Sequence, residues 1–216
     1  MDKSQKETII PQLLPIQKNT EECHKEVLKN IIKMLTNRGV LGVNDIDKNI
    51  KTLTDNMSDN GIYTITTMDK VYPKYAVKLS SHKFVSINKA TDVLQFLDEY
   101  KNYHKIVVLH DVAKSDGVHN VSKIKTDANI GECEMFLEKE LMINLVDVVF
   151  IPKHILLSHA EKEDVLINYN VTNKQIPRMS VMDPVARYFN AKQFDVFRII
   201  RPSDVTGYDV SYRIVA

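Results

Sequence analysis

The chain has 216 residues, of which 44% are hydrophobic and 26% are charged, and its formal net charge at neutral pH is +1. This apolar content excludes a chain that is disordered throughout, because such chains are poor in hydrophobic residues. The near balance of charge argues against a protein that grips DNA unaided, since neutralisation of phosphates supplies most of that affinity.

The first twenty residues contain two prolines and are predicted to form an N-terminal extension without regular structure. A helix is predicted from Glu21 to Arg38, with Gly39 as its C-terminal cap. Its apolar stripe is formed by Val27, Leu28, Ile31, Ile32 and Leu35. A second helix is predicted over 44–54, with Asn44 as its N-cap.

The middle of the chain alternates between strand and helix patterns. Strands are predicted over 62–67, 75–79, 84–87 and 105–109, a helix over 88–103, and a loop over 110–120. The order of a helix followed by a short, wholly apolar strand favours a small α/β layer. Residues 132–150 give no clear assignment, and we place a domain boundary near 147–150.

Local motifs define the last third of the chain. Ser158 and Glu161 have the spacing of a capping box, which predicts a helix up to about Tyr169. Asp183 and Pro184 fit an N-cap followed by proline at the first helical position, so a short helix is predicted over 185–189. Two strands are predicted over 194–201 and 208–215, joined by a turn at 202–207. In the second strand the apolar face is formed by Tyr208, Val210, Tyr212 and Ile214.

Five pieces of this last third carry a family resemblance. They are Ile151-Pro152-Lys153-His154, Gln175-Ile176-Pro177-Arg178, Asp183-Pro184-Val185-Ala186-Arg187-Tyr188, Arg198-Ile199-Ile200-Arg201-Pro202-Ser203 and Ser211-Tyr212-Arg213-Ile214-Val215. In order and spacing they resemble the assembly domain of the fifth subunit of eukaryotic RNA polymerases. The archaeal counterpart in this family is similar to this domain alone.

The first two thirds resemble the jaw domain of the same family, which has a nuclease-like α/β topology without nuclease activity. Cellular relatives have a Thr-Pro-Ser-Ala motif after the strand that corresponds to 105–109, on the side of downstream DNA. Here the segment 112–117 is Val-Ala-Lys-Ser-Asp-Gly, so the motif is absent. This departure, together with a composition rich in Lys, Asn and Ile, suits a large DNA virus of eukaryotes.

The resemblance implies an α+β protein with a jaw domain over 21–147 and an assembly domain over 148–216. It implies a non-catalytic subunit that is anchored on the largest polymerase subunit, forms part of the lower jaw, and contacts downstream duplex DNA weakly and without sequence preference. Other polymerase subunits and transcription factors are further expected partners. The expected location is the nucleus, or the cytoplasm and virion for a viral enzyme.

The resemblance also implies the site residues. The expected subunit-interface residues are Pro152, Lys153, His154, Arg178, Asp183, Pro184, Arg187, Tyr188, Arg198, Arg201 and Arg213. The expected DNA-proximal residues are Lys114, Ser115, His119 and Lys123. We expect no catalytic residue, no metal site and no cofactor.

Most of these residues also have a purely structural explanation. A capped helix start accounts for Asp183 and Pro184, and local ion pairs of small worth account for the arginines. A solvated loop accounts for the lysines after residue 110.

Two further expectations concern the location of the protein and the state of its cysteines. No stretch is long and apolar enough to cross a membrane, and the first seven residues lack a secretory signal, so we expect an intracellular, soluble protein. Cys23 and Cys133 form no C-x-x-C pair, which argues against a cysteine-built zinc site and favours reduced thiols.

Two alternative functions stay open. A nuclease-like enzyme is one alternative, because Glu99-Tyr100-Lys101 has the form of a nuclease motif. The triplet lies on a predicted helix and lacks a second carboxylate for magnesium, which argues against this alternative. A transcription-factor adaptor that acts outside the polymerase is the other.

Overall fold

The computed structural model describes residues 19–55, 58, 60–69, 71–84, 91–112 and 132–216. In this part of the chain, two four-stranded sheets are each covered by helices on both faces. This arrangement confirms the predicted α+β class. The predictions for 1–18, 85–90 and 113–131 lie outside the described residues.

The first sheet, sheet A, has the strand order β1-β2-β3-β4. Its strands are β1 (Ile62–Thr66), β2 (Lys74–Phe84), β3 (His104–Val112) and β4 (Cys133–Leu137). β1 is antiparallel to β2, whereas β2, β3 and β4 are parallel. Helix α3 (Thr91–Glu99) lies between β2 and β3 in the chain, as a parallel crossover requires.

Sheet A is buried on both faces. Helix α1 (Thr20–Asn37) covers one face with the predicted stripe, and α2 (Ile46–Asp55) joins it there. Helix α3 covers the other face through Val93, Phe96 and Leu97. Burial on both faces explains why Ile106 to Leu109 is a continuous apolar run rather than an alternating one.

Sheet B has the strand order β5-β7-β8-β6. Its strands are β5 (Lys153–Leu156), β6 (Arg178–Met179), β7 (Val196–Ser203) and β8 (Gly207–Val215). β7 is antiparallel to β5 and β8, and β6 is parallel to the end of β8. Helices α5 (His159–Asn168) and α6 (Pro184–Tyr188) pack on its two faces.

The segment between the sheets is short and structured. Helix α4 (Glu138–Leu141) follows β4 directly, and a 3-10 turn at Leu145–Asp147 comes next. Leu145 packs against the clusters on both sides, and Tyr188 and Phe189 of the last third pack against the core of sheet A. The two sheets are therefore joined by shared apolar contacts as well as by the chain.

Three of the four capping predictions are confirmed. Ser158 caps α5 by accepting a hydrogen bond from the Glu161 N–H, while the Glu161 carboxylate accepts from the Ser158 N–H at 2.8 Å. Asp183 caps α6 by accepting from the Val185 N–H at 2.8 Å, with Pro184 at the first helical position. Gly39 has a φ of +77°, as its predicted capping role requires.

Three local predictions were wrong. Asn44 does not cap α2, because it lies inside a 3-10 turn at Val43–Asp45 that precedes the helix. Helix α3 ends at Glu99 and does not reach Tyr103. Residues 110–112 belong to β3 and not to a loop, because pairing with β2 continues to Val112.

Candidate partner-binding surface and the network behind it

The expected interface residues divide into an exposed group and an interior group. Lys153, Arg178, Arg201 and Arg213 are exposed, and none of the four contacts a carboxylate within the described residues. Arg201 donates a hydrogen bond from Nη2 to the Ser211 Oγ at 3.2 Å. This group therefore presents cationic side chains of sheet B that are available to a partner.

Arg198 is half-buried beside α5. Its guanidinium lies 5.9 Å from the ring centroid of Tyr212, and its Nε is buried with no hydrogen-bond partner in the described chain. A cavity of about 380 Å³ opens here between α5 and the sheet. Its lining residues are Glu161, Asp164, Val165, Asn168, Tyr169, Arg198 and Tyr212. The acidic members of this lining lower the cationic character of the surface around Arg198.

Pro152 and His154 form a local turn at the start of β5. The His154 ring donates from Nδ1 to the Pro152 carbonyl at 2.6 Å, and the ring centroid lies 6.0 Å from that of Phe197 in an edge-on arrangement. His154 therefore packs beside Pro152 and against Phe197. Pro152 and His154 are both half-buried, which leaves part of each accessible.

Arg187 has its carboxylate partner within the chain. Its guanidinium donates to both carboxylate oxygens of Glu140, at 2.8 and 3.2 Å, and to the Met135 carbonyl at 2.6 Å. The guanidinium also lies 5.0 Å from the centroid of the Phe136 ring. This bidentate contact joins α6 to α4 within the chain, and a subunit-interface role for Arg187 stays a prediction.

Tyr188 is an interior residue. It is 5% exposed, and its hydroxyl donates to the Asn144 Oδ1 at 2.6 Å and accepts from the Asn37 Nδ2 at 2.8 Å. Burial raises the pKa of this hydroxyl, so it stays protonated as the donor that the contact requires. Its side chain ties α1 to the segment after α4, and the expected role of Tyr188 at a subunit interface stays a prediction.

Behind this surface lies a buried ionic network that the sequence analysis missed. The Arg38 guanidinium forms a bidentate contact with Glu134, at 2.6 and 2.7 Å, and both side chains are 6% exposed. Glu134 also contacts the Nε2 of buried His104 at 2.7 Å. Arg38 further donates to the carbonyls of Tyr188 and Arg187, at 2.7 and 3.1 Å, where α6 ends.

The electrostatics of this network favour the ionised carboxylate. Desolvation by burial acts to raise the pKa of Glu134, but the charge of Arg38 and hydrogen bonds from His104 and Arg38 outweigh it and lower the pKa to about 2. The positive guanidinium also complements the negative end of the α6 dipole. One side chain at the end of α1 thus binds both sheet A and the end of a helix on sheet B.

Peripheral ion pairs surround the buried network. Lys33 lies 3.3 Å from Asp147, and Lys192 lies 3.0 Å from Glu132. Both pairs are partly exposed and each contributes little to stability. They nevertheless place complementary charges along the same junction between the two sheets.

The expected DNA-proximal residues cannot be placed. Lys114, Ser115, His119 and Lys123 lie outside the described residues. The nuclease-like triplet ends α3, where Glu99 is exposed and Lys101 pairs with Asp98 at 3.1 Å. Among the residues described, no group of three or more histidines, cysteines, aspartates or glutamates could hold a metal ion. None of the helices described is both long and apolar enough to span a membrane.

Comparison with known proteins identifies the family. The model of the RNA polymerase Rpb5 C-terminal domain matches residues 143–215. The DNA-directed RNA polymerase subunit 5 of Acanthamoeba polyphaga mimivirus is 34% identical over 206 residues, which cover 94% of this chain and 97% of the relative. The chain belongs to the family of RNA polymerase subunit 5.

Cellular relatives in this family match a shorter stretch. The subunit RPABC1 of RNA polymerases I, II and III from Caenorhabditis elegans is 42% identical over 82 residues, 38% of this chain and 39% of the relative. The same subunit from Dictyostelium discoideum is 41% identical over 81 residues, 38% of this chain and 41% of the relative. The expectation of a non-catalytic subunit of a multisubunit DNA-directed RNA polymerase is confirmed.

Proposed function

We propose that this subunit 5 protein attaches to the largest polymerase subunit through residues 148–216 and extends residues 21–147 as part of the lower jaw along downstream DNA. The exposed cations of sheet B carry the first half of this proposal. Guanidinium groups suit bidentate contacts with carboxylates, and Arg178, Arg201 and Arg213 have no such contact in the described chain. The interface includes these arginines together with Lys153, Pro152 and His154, with Lys153 and Arg178 on one face of sheet B and Arg201 and Arg213 on the other.

The interior residues act behind this interface. Asp183 and Pro184 fix the start of α6, while Arg187 and Tyr188 hold α6 against α4 and α1. In this proposal they position the surface that meets the partner. Arg198 lies between the two groups, since it is half-buried and borders the cavity beside α5.

The contact with DNA is weak and independent of sequence. The formal net charge of +1 provides little attraction for phosphates on its own, so the duplex must be held mainly by the rest of the enzyme. Within this proposal Lys114, Ser115, His119 and Lys123 lie on the side of the jaw that faces the duplex. Transcription factors are additional partners of this subunit. The protein acts in the nucleus, or in the cytoplasm and virion of a viral system.

The attachment is tested by purification of the tagged chain from its native source with washes at high salt. We expect the two largest subunits to be recovered in equal ratio to the chain. The double variant Arg201→Ala, Arg213→Ala should lose most of this recovery, because it removes two unpaired cations from sheet B. The matched control Lys48→Ala, Lys51→Ala removes the same charge from exposed positions of α2 and should retain it.

Recovery of the tagged wild-type chain without polymerase subunits would refute the attachment and favour the adaptor alternative. Equal losses in the arginine and lysine double variants would refute the assignment of the interface to sheet B. The jaw contact has a separate test, which is crosslinking of the purified polymerase to downstream duplex. The substitutions Lys114→Ala and Lys123→Ala should weaken crosslinking for every duplex sequence alike.

A further inference from the structure

The outer edge of β8 is largely uncovered. β8 pairs with β7 along its whole length, from Gly207 to Ile214, but on its other side β6 pairs only with Ile214 and Val215. Along 207–213 no described strand lies against this edge. The segment contains neither lysine nor proline, two residues that natural sheets commonly use to protect an open edge.

The direction of each backbone group follows from the hydrogen bonds at the end of β8. The Ile214 N–H donates outward to the Pro177 carbonyl at 2.9 Å, whereas the Val215 N–H donates inward to the Asp195 carbonyl at 2.8 Å. Because alternate residues of a strand point the same way, the backbone groups of Val210 and Tyr212 point outward like those of Ile214. Within the described chain nothing pairs with them.

Two local features mark the ends of the unpaired stretch of β8. At one end the Tyr208 carbonyl accepts a hydrogen bond from the Thr206 hydroxyl at 3.0 Å. At the other end β6 begins directly after Pro177, which has no N–H to offer the neighbouring carbonyl. The unpaired groups therefore form a short template centred on residues 210–212.

The side chains beside the template differ between its two faces. On one face, Tyr208 is 73% exposed, Val210 is 47% exposed, and Tyr212 lies with its ring centroid 5.6 Å from that of Tyr169. This face is mainly apolar and aromatic beside Val210 and Tyr212, with the cation of Arg198 opposite Tyr212 in the register, and it adjoins the cavity beside α5.

The opposite face of the template is cationic around Ser211. The Arg201 guanidinium reaches Ser211 from β7, and Arg213 is the next residue of β8 on that face. Neither arginine pairs with a carboxylate of the described chain. Asp209 supplies a single negative charge nearer the hairpin tip. An added strand would thus meet apolar groups on one face and guanidinium groups on the other.

We propose that the outer edge of β8 accepts an extended segment of another polymerase subunit as an added strand. The segment has apolar side chains on the face of Val210 and Tyr212 and acidic side chains on the face of Arg201 and Arg213. Main-chain hydrogen bonds provide the attachment and the alternating side chains provide the selectivity, as in other cases of strand addition. This inference rests on the proposed function, because it specifies the chemistry of the partner segment.

Hydrogen exchange with residue-level readout tests the strand. The isolated chain is compared with the same chain in polymerase purified through its tag. The amides of Val210 and Tyr212 should exchange rapidly in the isolated chain and at least about tenfold more slowly in the complex. The amide of Ser211 faces β7 and should change much less. If the complex is recovered but both outward amides still exchange rapidly, strand addition is refuted while the proposed function stands.

A pair of variants at Val210 supplies an independent test. Val210→Pro removes an outward N–H and also fixes φ, a change that an edge strand tolerates, and this hairpin already contains a proline at the comparable position Pro202, opposite Tyr208. Val210→Thr keeps the N–H and serves as the control. After thermal melts show that both variants fold, incorporation of Val210→Pro into the polymerase should fall by about tenfold or more while Val210→Thr is retained. Equal incorporation of the two would refute the proposal.

A second copy of the chain is the competing occupant. Pairing of β8 with β8 would protect the outward amides in the isolated chain, and the protection would rise with protein concentration. That result would overturn the assignment to another subunit.

Discussion

Substitution of Arg38 provides the sharpest test of the buried junction between the sheets. Arg38→Met keeps the aliphatic bulk of the side chain but removes the guanidinium from Glu134 and from the carbonyls at the end of α6. Loss of one member of a buried ion pair costs about 3–5 kcal/mol, because the other charge stays buried without its partner. We therefore expect the free energy of unfolding at pH 7 to fall by about this amount.

The pKa of Glu134 gives an independent measure of this cost. A carboxyl whose pKa falls from 4.5 in the unfolded chain to about 2 in the folded protein contributes about 3 kcal/mol at neutral pH. Because the folded pKa is depressed, this contribution is complete above the unfolded pKa and is lost as the pH falls towards 2. About 2 kcal/mol of it should be gone at pH 3.

The assay is urea unfolding, followed by circular dichroism, at several values between pH 3 and pH 7. In Arg38→Met, burial should raise the pKa of Glu134, so the variant should lose less stability than the wild type on acidification. The difference in free energy of unfolding between the wild type and Arg38→Met should therefore decrease as the pH falls. Lys33→Met breaks a partly exposed pair with Asp147 and should cost about 1 kcal/mol or less.

Two results would refute this reasoning about Arg38. One is a loss below about 1 kcal/mol at pH 7, which would mean that the buried charge is not left uncompensated. The other is a gap that stays constant between pH 3 and pH 7, which would mean that Glu134 does not carry the pH dependence.

Three smaller changes test other local features by the same urea unfolding. Asp183→Ala should cost about 1 kcal/mol through loss of an N-cap, whereas Asp183→Asn should be tolerated; equal losses would contradict the capping role. Gly61→Ala should cost more than Gly39→Ala, because both have positive φ but only at Gly61 would the new Cβ lie 2.6 Å from a backbone oxygen, that of Leu79. The reverse order would contradict the close approach of Gly61 to the Leu79 carbonyl. Tyr188→Phe should cost about 1–3 kcal/mol because the buried Asn144 and the exposed Asn37 each lose a partner, and an unchanged midpoint would argue against the bridge.

Much of the last third of the chain was predictable because its helix starts depend on hydrogen bonds between residues close in sequence. Ser158 and Glu161, or Asp183 and Pro184, satisfy backbone groups within a few residues, so their sequence spacing is sufficient to place a helix start. Asn44 shows the limit of such reasoning. Its side chain is equally suitable for a cap, but the chain forms a 3-10 turn before α2 begins.

Contacts distant in sequence were not predictable in the same way. Arg38 and Glu134 are separated by 96 positions, and each resembles an ordinary surface charge until the fold brings them together. Arg187 was expected at a subunit interface from the family resemblance, and the bidentate pairing that suits arginine is formed within the chain, with Glu140. The residue type predicted the geometry of the contact and not the identity of the partner.

Burial along β8 was only partly predictable. The alternation of Tyr208, Val210, Tyr212 and Ile214 predicted an apolar face, yet only Ile214 of these is fully buried. The hairpin extends past α5, so the covering layer ends before the strand does. Periodicity reports which side chains share a face, but the length of the neighbouring helix decides how many of them are covered.

Arg38 also couples the position of sheet A to the position of α6. Its guanidinium is planar and makes short contacts in two directions, towards a strand of sheet A and towards the last carbonyls of α6. A rotation of sheet B against sheet A would have to break either the contact with Glu134 or the contacts with the end of α6. The relative orientation of the two sheets is therefore coupled to one buried ionic contact.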